Sequence, residues 1–248
     1  MSQFFKFFPV IDYQFGADDN DGHDHIATFE DITAYAEVVD QVVNNITSYE
    51  TYYLLPGEQP YQVSQKLYGT PNYHWTFYLM NTKVRETGWP LSPQQLFELA
   101  QEKYNLIVIT TKTKLTDKFK VGQTIEGATS EATAVIEKRN LDLGQLFLKN
   151  VSGTFVSGEN ITSTNSNGIL ESINSTSAEF AYNVAHHYEN AEGHVVDIDP
   201  EVGPGAQLTE VTWLNRIERI NDDKRQLKVI KGSIISQVAK SFRDAISS

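Results

Sequence analysis

The stretch that most constrains the fold is residues 52–81, YYLLPGEQPYQVSQKLYGTPNYHWTFYLMN. The Tyr- and Thr-rich segment 47–55 alternates in the manner of a strand and ends at a Pro-Gly turn. Pro60 can begin a helix, because a proline in the first turn loses no hydrogen bond that the helix needs. Gly69 suits the C-terminal cap, where a left-handed residue is favoured. The pattern predicts a strand followed by a turn and a short helix.

Two further helices are predicted downstream. The run YHWTFYLMN places Trp75, Tyr78 and Leu79 at spacings of three and four, which is typical of a helix face. Ser92 and Pro93 then open a third helix that ends near residue 104. We expect its inward residues to be Leu96, Leu99 and Ala100. The order of elements is therefore strand, helix, helix, helix, and the first strand still lacks a partner.

A partner for that strand lies far along the chain. Residues 225–232, RQLKVIKG, alternate apolar and polar side chains. We hypothesise that this segment pairs antiparallel with residues 49–55 and so covers an edge of the first strand. A final helix follows after Ser233, and its apolar stripe is formed by Ile235, Val238, Phe242 and Ile246. Such a stripe either packs on the chain's own core or binds a partner, and Ile235, Val238 and Phe242 are candidates for a partner interface.

The N-terminal region is rich in aromatic residues. Residues 1–16 contain a cluster of phenylalanines, Phe4, Phe5, Phe7 and Phe8, which are further partner-interface candidates. This arm either folds back on its own core or inserts into a neighbouring chain. The polar run 16–25 is predicted to be a loop, and apolar spacing after Thr28 predicts a helix over residues 29–44.

An internal repeat occupies the middle of the chain. Segments beginning FKVGQTIEG and FVSGENITS lie 36 residues apart. The matched pairs are Phe119 with Phe155, Gly122 with Gly158, Gln123 with Glu159, Ile125 with Ile161, and Ser130 with Ser166. A fixed period with Gly at turns and β-branched residues around it predicts duplicated β-hairpins. Residues 113–177 are therefore expected to form an inserted all-β module.

Composition and spacing argue against several kinds of site. The formal charge of −12, from 32 acidic and 20 basic residues, disfavours a nucleic-acid interface. The chain has no cysteine, and no apolar run is long enough to cross a membrane. The acidic loop around Gly22 lacks carboxylates at the first and last calcium-ligand positions. His186 and His187 are adjacent, and neighbours on a strand point to opposite faces, which argues against a shared metal. We expect no catalytic residue, metal or cofactor.

The segment Tyr-x-Leu-x-Pro-Gly-Glu-x-Pro at residues 52–60 resembles the entry of a LysM module. Val63-Ser64-x-x-Leu67-Tyr68-Gly69 is similar to its first helix, and Leu79-x-Asn81 is similar to the end of its second helix. A LysM module normally returns directly to its second strand, whereas this chain continues with a helix. LysM glycan sites lie in two loops that correspond here to Gly57, Glu58 and Gln59, and to Asn81, Thr82 and Lys83. Trp75 and Trp89 would either stack on sugar or lie in the core.

The whole arrangement resembles the LysM-containing baseplate wedge protein of T-even-like contractile-tailed bacteriophages. The matching motifs are FFKFFPVIDY, YETYYLLPGEQPYQVSQKLYG, YHWTFYLMN, GWPLS with QEKY, and ERINDDKRQLKVI. They cover residues 1–105 and 180–248. The repeat lies outside this resemblance and is similar to Gly-Glu-x-Ile modules inserted into many phage structural proteins.

The resemblance implies an α+β fold. It has a LysM-like core of strand, helix and helix closed by a distant strand, with an N-terminal arm and helix, an inserted β module and a C-terminal amphipathic helix. The expected division is 1–46, 47–112, 113–177 and 178–248. The implied function is structural, in a virion tail baseplate assembled in the host cytoplasm. It would bridge neighbouring wedges through other wedge and tail proteins, without catalysis, nucleic acid or membrane.

Two alternatives remain open. One is a peptidoglycan-binding LysM accessory protein, or the targeting part of a lytic enzyme. The other is a host-surface sensing role for the inserted β module.

Overall fold

The computed structural model describes residues 10–17, 24–30, 45 and 47–246. The chain divides into two compact units, Met1–Ser92 with Asn221–Ser248, and Pro93–Ile220. Both helices and strands are present, in agreement with the expected α+β class.

The helices and strands fall into three consecutive groups along the chain. The first group contains β1 (Val10–Ala17), β2 (Asp24–Glu30), β3 (Tyr49–Tyr53), α1 (Pro60–Tyr68), a 3-10 turn (Pro71–Tyr73), α2 (Thr76–Met80), α3 (Thr82–Thr87) and α4 (Pro93–Lys103). The middle group contains β4 (Ile107–Thr111), β5 (Thr124–Gly127), β6 (Thr133–Asn140), β7 (Gln145–Ser152), β8 (Asn160–Thr164) and β9 (Leu170–Phe180). The last group contains a second 3-10 turn (Ala181–Asn183), β10 (Ala185–Glu189), β11 (Val195–Val196), β12 (Thr209–Thr212), α5 (Trp213–Asp222), β13 (Gln226–Ile230) and α6 (Ile235–Ile246).

The first unit is closed by the distant strand. β13 pairs antiparallel with β3, in a register that runs from Gln226 opposite Tyr53 to Ile230 opposite Tyr49. This pairing confirms the hypothesis drawn from the alternation in residues 225–232. Alternate residues of both strands turn toward the helices, and the resulting core consists of Leu54, Val63, Phe77, Val84, Leu227 and Val229.

Helix α1 has the predicted ends. Pro60 occupies its first position, and Gln62 accepts a hydrogen bond from the backbone N–H of Gln59 at 2.8 Å. At the other end Gly69 has φ of 71°, a left-handed conformation, and its N–H donates to the Gln65 carbonyl at 3.0 Å. The cap residues therefore fix both the length of α1 and the direction of the chain that leaves it.

The C-terminal helix α6 packs on this same unit. Ile235 joins a buried cluster with Met80 and Ile230, and the Phe242 ring lies 5.1 Å from the Trp75 ring. Ile235 and Phe242 are only 5% and 4% exposed, and Val238 is partly buried against the cluster. The partner-interface prediction for these three residues is therefore wrong, because the apolar stripe covers the unit's own core.

The N-terminal prediction also needs correction. β2 extends to Glu30, so the first residues of the expected helix at 29–44 are in a strand. The expected loop at 16–25 is likewise shortened by β1 and β2. The two strands pair with Ile11 opposite Phe29 and Tyr13 opposite Ala27, an apolar pattern on one face that favours a hairpin. Residues 31–44, and the aromatic candidates Phe4, Phe5, Phe7 and Phe8, lie outside the described residues.

The expected helix faces are shifted in two places. In α2 the buried apolar residues are Phe77 and Met80, whereas Tyr78 and Leu79 are half-buried. In α4 Leu96 and Ala100 are buried as expected, but Leu99 is 39% exposed. α3 was not predicted and follows α2 after a single residue.

The repeat forms a closed six-stranded barrel in the second unit. Its strand order is β4-β7-β6-β5-β8-β9. A shift of 36 residues carries β4 to β7, β5 to β8 and β6 to β9, so the ring has an approximate two-fold symmetry. Glu126 pairs with Thr162, its own counterpart in the repeat, which places the two-fold axis between β5 and β8.

The barrel core confirms the periodic pattern. The matched residues Phe119, Phe155, Ile125 and Ile161 all point into it and are nearly or fully buried. The strands run from Ile107 to Phe180, somewhat beyond the predicted segment 113–177. The remaining sheet of this unit has the order β11-β10-β12.

Candidate functional site

The loop between β3 and α1 is held by Glu58. Its carboxylate accepts hydrogen bonds from the Tyr52 hydroxyl at 3.1 Å, the Leu55 N–H at 2.9 Å and the Lys66 ammonium at 3.2 Å. Burial alone would raise the pKa of Glu58, but these donors outweigh it and the pKa lies below the usual value. The ionised carboxylate therefore stabilises the conformation of this loop.

Trp89 ties the same loop to the core. Its indole N–H donates to the Glu58 carbonyl at 2.7 Å, and its ring lies about 6 Å from the rings of Phe77 and Tyr78. Trp89 and Trp75 thus both pack within the unit, which favours the core interpretation of these two side chains over sugar stacking.

Asn81 holds the segment that follows α2 against β13. Its side-chain amide donates to the Lys228 carbonyl at 2.9 Å and to the Phe77 carbonyl at 2.8 Å. Its side-chain oxygen accepts the Lys228 N–H at 2.8 Å. The amide thus engages both backbone groups of Lys228 as a neighbouring strand would, and it caps the outer edge of β13.

A groove of about 430 Å³ lies beside this edge. The predicted loop residues Asn81, Thr82 and Lys83 line it, but Gly57, Glu58 and Gln59 do not. Its other lining residues are Thr51, Met80, Val84, Asp223, Lys224, Gln226, Leu227 and Lys228. Among the described residues that line the groove, none carries an aromatic ring that could stack on a sugar, and Lys83 is 3.4 Å from Asp223. This groove therefore contains only one of the two predicted glycan loops.

The barrel carries a pair of buried carboxylates. Glu159 accepts hydrogen bonds from the N–H and hydroxyl of Ser130, the Thr129 N–H and the Val156 N–H, all between 2.7 and 3.1 Å. Burial would raise the pKa of Glu159, yet these four donors bring it below the ordinary value of 4.5. Glu159 therefore links the two repeats as an ionised group.

Its counterpart Gln123 is bonded differently. The Gln123 amide N–H₂ needs an acceptor, and Glu171 supplies one at 3.2 Å. Glu171 is buried and also accepts from the Phe119 N–H at 2.7 Å and the Asn165 amide at 3.1 Å. A glutamate at position 123 would place two carboxylates together, which explains why the repeat carries Gln at one site and Glu at the other. Sequence analysis missed Glu171, which a search for acids at inward strand positions could have found.

This second site borders a larger groove. The groove has a volume of about 900 Å³ and a mostly polar lining that includes Lys120, Gln123, Glu126, Asn165 and Glu171. The Glu171 carboxylate there is already bonded to protein donors. The Glu171 carboxylate is therefore not set aside for a ligand.

The adjacent histidines do face each other. A β-bulge between Ala185 and His187 shifts the register of β10, and the Nδ1 atoms of His186 and His187 are 2.8 Å apart. The expectation that the two rings point to opposite faces is therefore wrong. His187 Nε2 lies 2.8 Å from Glu189, which Arg219 contacts through both carboxylate oxygens at 2.7 and 2.8 Å. These contacts form a chain of polar groups from β10, the central strand of this sheet, to Arg219 on α5.

Broader comparisons add few constraints. In the parts of the chain that the structure describes, no group of three or more His, Asp or Glu side chains is arranged to hold a metal ion. Within the same residues, no helix has the length and apolarity needed to cross a bilayer. No protein-family model matches the chain, and no curated protein shows significant similarity to it.

Proposed function

We propose that this chain is a structural subunit of the baseplate wedge of a contractile phage tail, built on a LysM-like core. The observation that carries the proposal is the pairing of β13 with β3, which completes a strand–helix–helix–strand unit across the whole intervening chain. Two of the motifs that resemble the wedge family, residues 49–69 and 218–230, lie on either side of this interruption, and the pairing brings their strands together. In this role the chain bridges neighbouring wedge and tail proteins and catalyses no reaction.

The hydrogen bonds of the two loops support a role in protein assembly over glycan binding. Glu58 and Asn81, one from each predicted glycan loop, are already bonded to the unit's own backbone. Releasing them to a glycan would break these hydrogen bonds, each of which contributes about 0.5–1.5 kcal/mol. The LysM-like unit is therefore better suited to holding the chain rigid than to recognising peptidoglycan.

The proposal has a direct test in virions. An antibody raised against the purified chain should label the baseplate end of tails, viewed by electron microscopy, in contractile phage particles that carry the gene. Mass spectrometry of the same particles should detect the chain. Purified virions without the chain would contradict the proposal.

Co-sedimentation with peptidoglycan sacculi tests the alternative. We expect the chain to remain in the supernatant. Saturable retention that is lost in Thr82→Ala and Lys83→Ala, both exposed positions in the groove, would favour the peptidoglycan-binding alternative.

A further inference from the structure

The outer edge of β3 has no partner strand among the residues that the structure describes. The Leu54 N–H donates to the Arg225 carbonyl at 2.9 Å, and the Ser48 carbonyl accepts the Lys231 N–H at 3.1 Å. In an antiparallel ladder every second residue bonds to the partner strand, so Tyr49, Thr51 and Tyr53 turn their backbone N–H and C=O groups away from β13. Among the residues that the structure describes, β3 has no other neighbouring strand.

The opposite edge of the same sheet is protected. The backbone groups of Lys228 are both bonded to Asn81, and the Ile230 carbonyl accepts the Tyr68 hydroxyl at 2.8 Å. Open edges are often blocked by charged side chains, especially Lys, by Pro or by a bulge. β3 has no Lys, Pro or bulge, and its one charged side chain is Glu50. Thr51 is exposed, and Tyr53 is 67% exposed. Among the described residues, the outer edge of β13 is therefore capped and the outer edge of β3 is not.

The bare edge is complementary to itself. If two copies of β3 lie antiparallel with Thr51 at the centre, Thr51 faces Thr51 of the second copy and Tyr49 faces Tyr53. All three outward-turned residues then meet outward-turned residues, so each backbone donor finds an acceptor. Glu50 falls directly opposite Tyr52, and the two Glu50 side chains lie diagonally across the axis, about 7–8 Å apart, and not in direct opposition.

We propose that the outer edge of β3 pairs with the same edge of a second copy of this chain, which makes a symmetric four-stranded sheet in the order β13-β3-β3-β13. A two-fold interface suits this geometry because one surface serves both partners. Tyr–Tyr and Thr–Thr pairs across antiparallel strands are favourable. The inference stands apart from the proposed virion role, since it concerns only copies of this chain.

Two measurements on the full chain test the pairing. Sedimentation velocity over about a hundredfold range of concentration should show a monomer that gives way to a dimer. Residue-resolved amide exchange should show fast exchange at Thr51 and Tyr53 in dilute solution and slow exchange in concentrated solution. The amides of Glu50 and Tyr52, which already bond to β13, should be protected under both conditions.

A charge variant supplies the control. Thr51→Lys places two ammonium groups opposite each other across the axis, and it should weaken dimerisation by about tenfold or more. Thr82→Lys makes the same change at an exposed position of α3, and it should leave the dimer intact. If Thr51→Lys proves unstable, Tyr53→Lys tests the same edge. A chain that stays monomeric throughout, or a dimer that persists in a folded Thr51→Lys variant, overturns the proposal.

Discussion

Replacing Asn81 by alanine should destabilise the closure of the first unit. The substitution removes three hydrogen bonds, to the Phe77 carbonyl, the Lys228 carbonyl and the Lys228 N–H, at 2.8 to 2.9 Å. At about 0.5–1.5 kcal/mol for each bond, the free energy of unfolding should fall by about 2–4 kcal/mol. The loss should be concentrated in β13, because two of the three bonds end on that strand.

Hydrogen exchange monitored by mass spectrometry along a urea series can measure this effect in each unit separately. Peptides covering β3 and β13 should become unprotected at lower urea in Asn81→Ala, while barrel peptides should be unaffected. Asn81→Asp is the matched variant, since it keeps the size of the side chain and one acceptor. Its carboxylate would face the carbonyls of Phe77 and Lys228, so we expect at least as large a loss. A change below about 0.5 kcal/mol in both variants would refute the role given to Asn81.

Phe77→Ala empties a fully buried site and should lower the free energy of unfolding by about 3–5 kcal/mol. Tyr61→Ala, at a 55% exposed position, is the control and should lower it by less than about 1 kcal/mol. The same exchange series measures both variants. Glu159→Gln should destabilise the barrel by about 2–3 kcal/mol near pH 7, because Gln brings an N–H₂ group against the Ser130 donors. The folded-state pKa of Glu159 lies below its ordinary value of 4.5. The wild-type barrel should therefore keep this stability above pH 4.5 and lose it as the pH falls through the folded-state pKa. Calorimetry should show the stabilities of the two proteins converging in acid, and an unchanged difference at low pH would contradict the prediction.

Sequence reasoning predicted well those parts of the fold in which particular residues mark the ends of an element. Pro60 and Gly69 mark the ends of α1 because their backbone preferences are intrinsic. The alternation around Leu227 and Val229 likewise predicts a strand, and the predicted strand at residues 49–55 still needed a partner. The 36-residue period predicted hairpins, but closure into a ring depends on which strand edges meet, and periodicity does not specify that.

The errors come from features that depend on tertiary context. The stripe containing Ile235 and Phe242 has the same pattern whether it covers its own core or a partner. At β2, Thr28 resembled a helix cap, but pairing with β1 prevailed: its hydroxyl donates to Asp12 at 2.7 Å across the hairpin. The bulge before His187 leaves no mark in local spacing. Nor does any pattern show that Asn81 would bond to a strand 147 residues away.

The central claim is that residues 226–230 complete the unit begun by residues 49–53. The chain has no cysteine, so the only thiols in a double variant are the two that are introduced. Tyr53→Cys with Gln226→Cys joins residues directly opposite in the ladder, within the Cα separation of about 4.4–6.8 Å that a disulfide requires. Tyr53→Cys with Lys228→Cys, offset by two residues, is the control, with a diagonal separation of about 7–8 Å. We predict rapid intramolecular cross-linking of the first pair and not the second under native oxidising conditions; failure of the first pair to cross-link in a folded chain would contradict the claim.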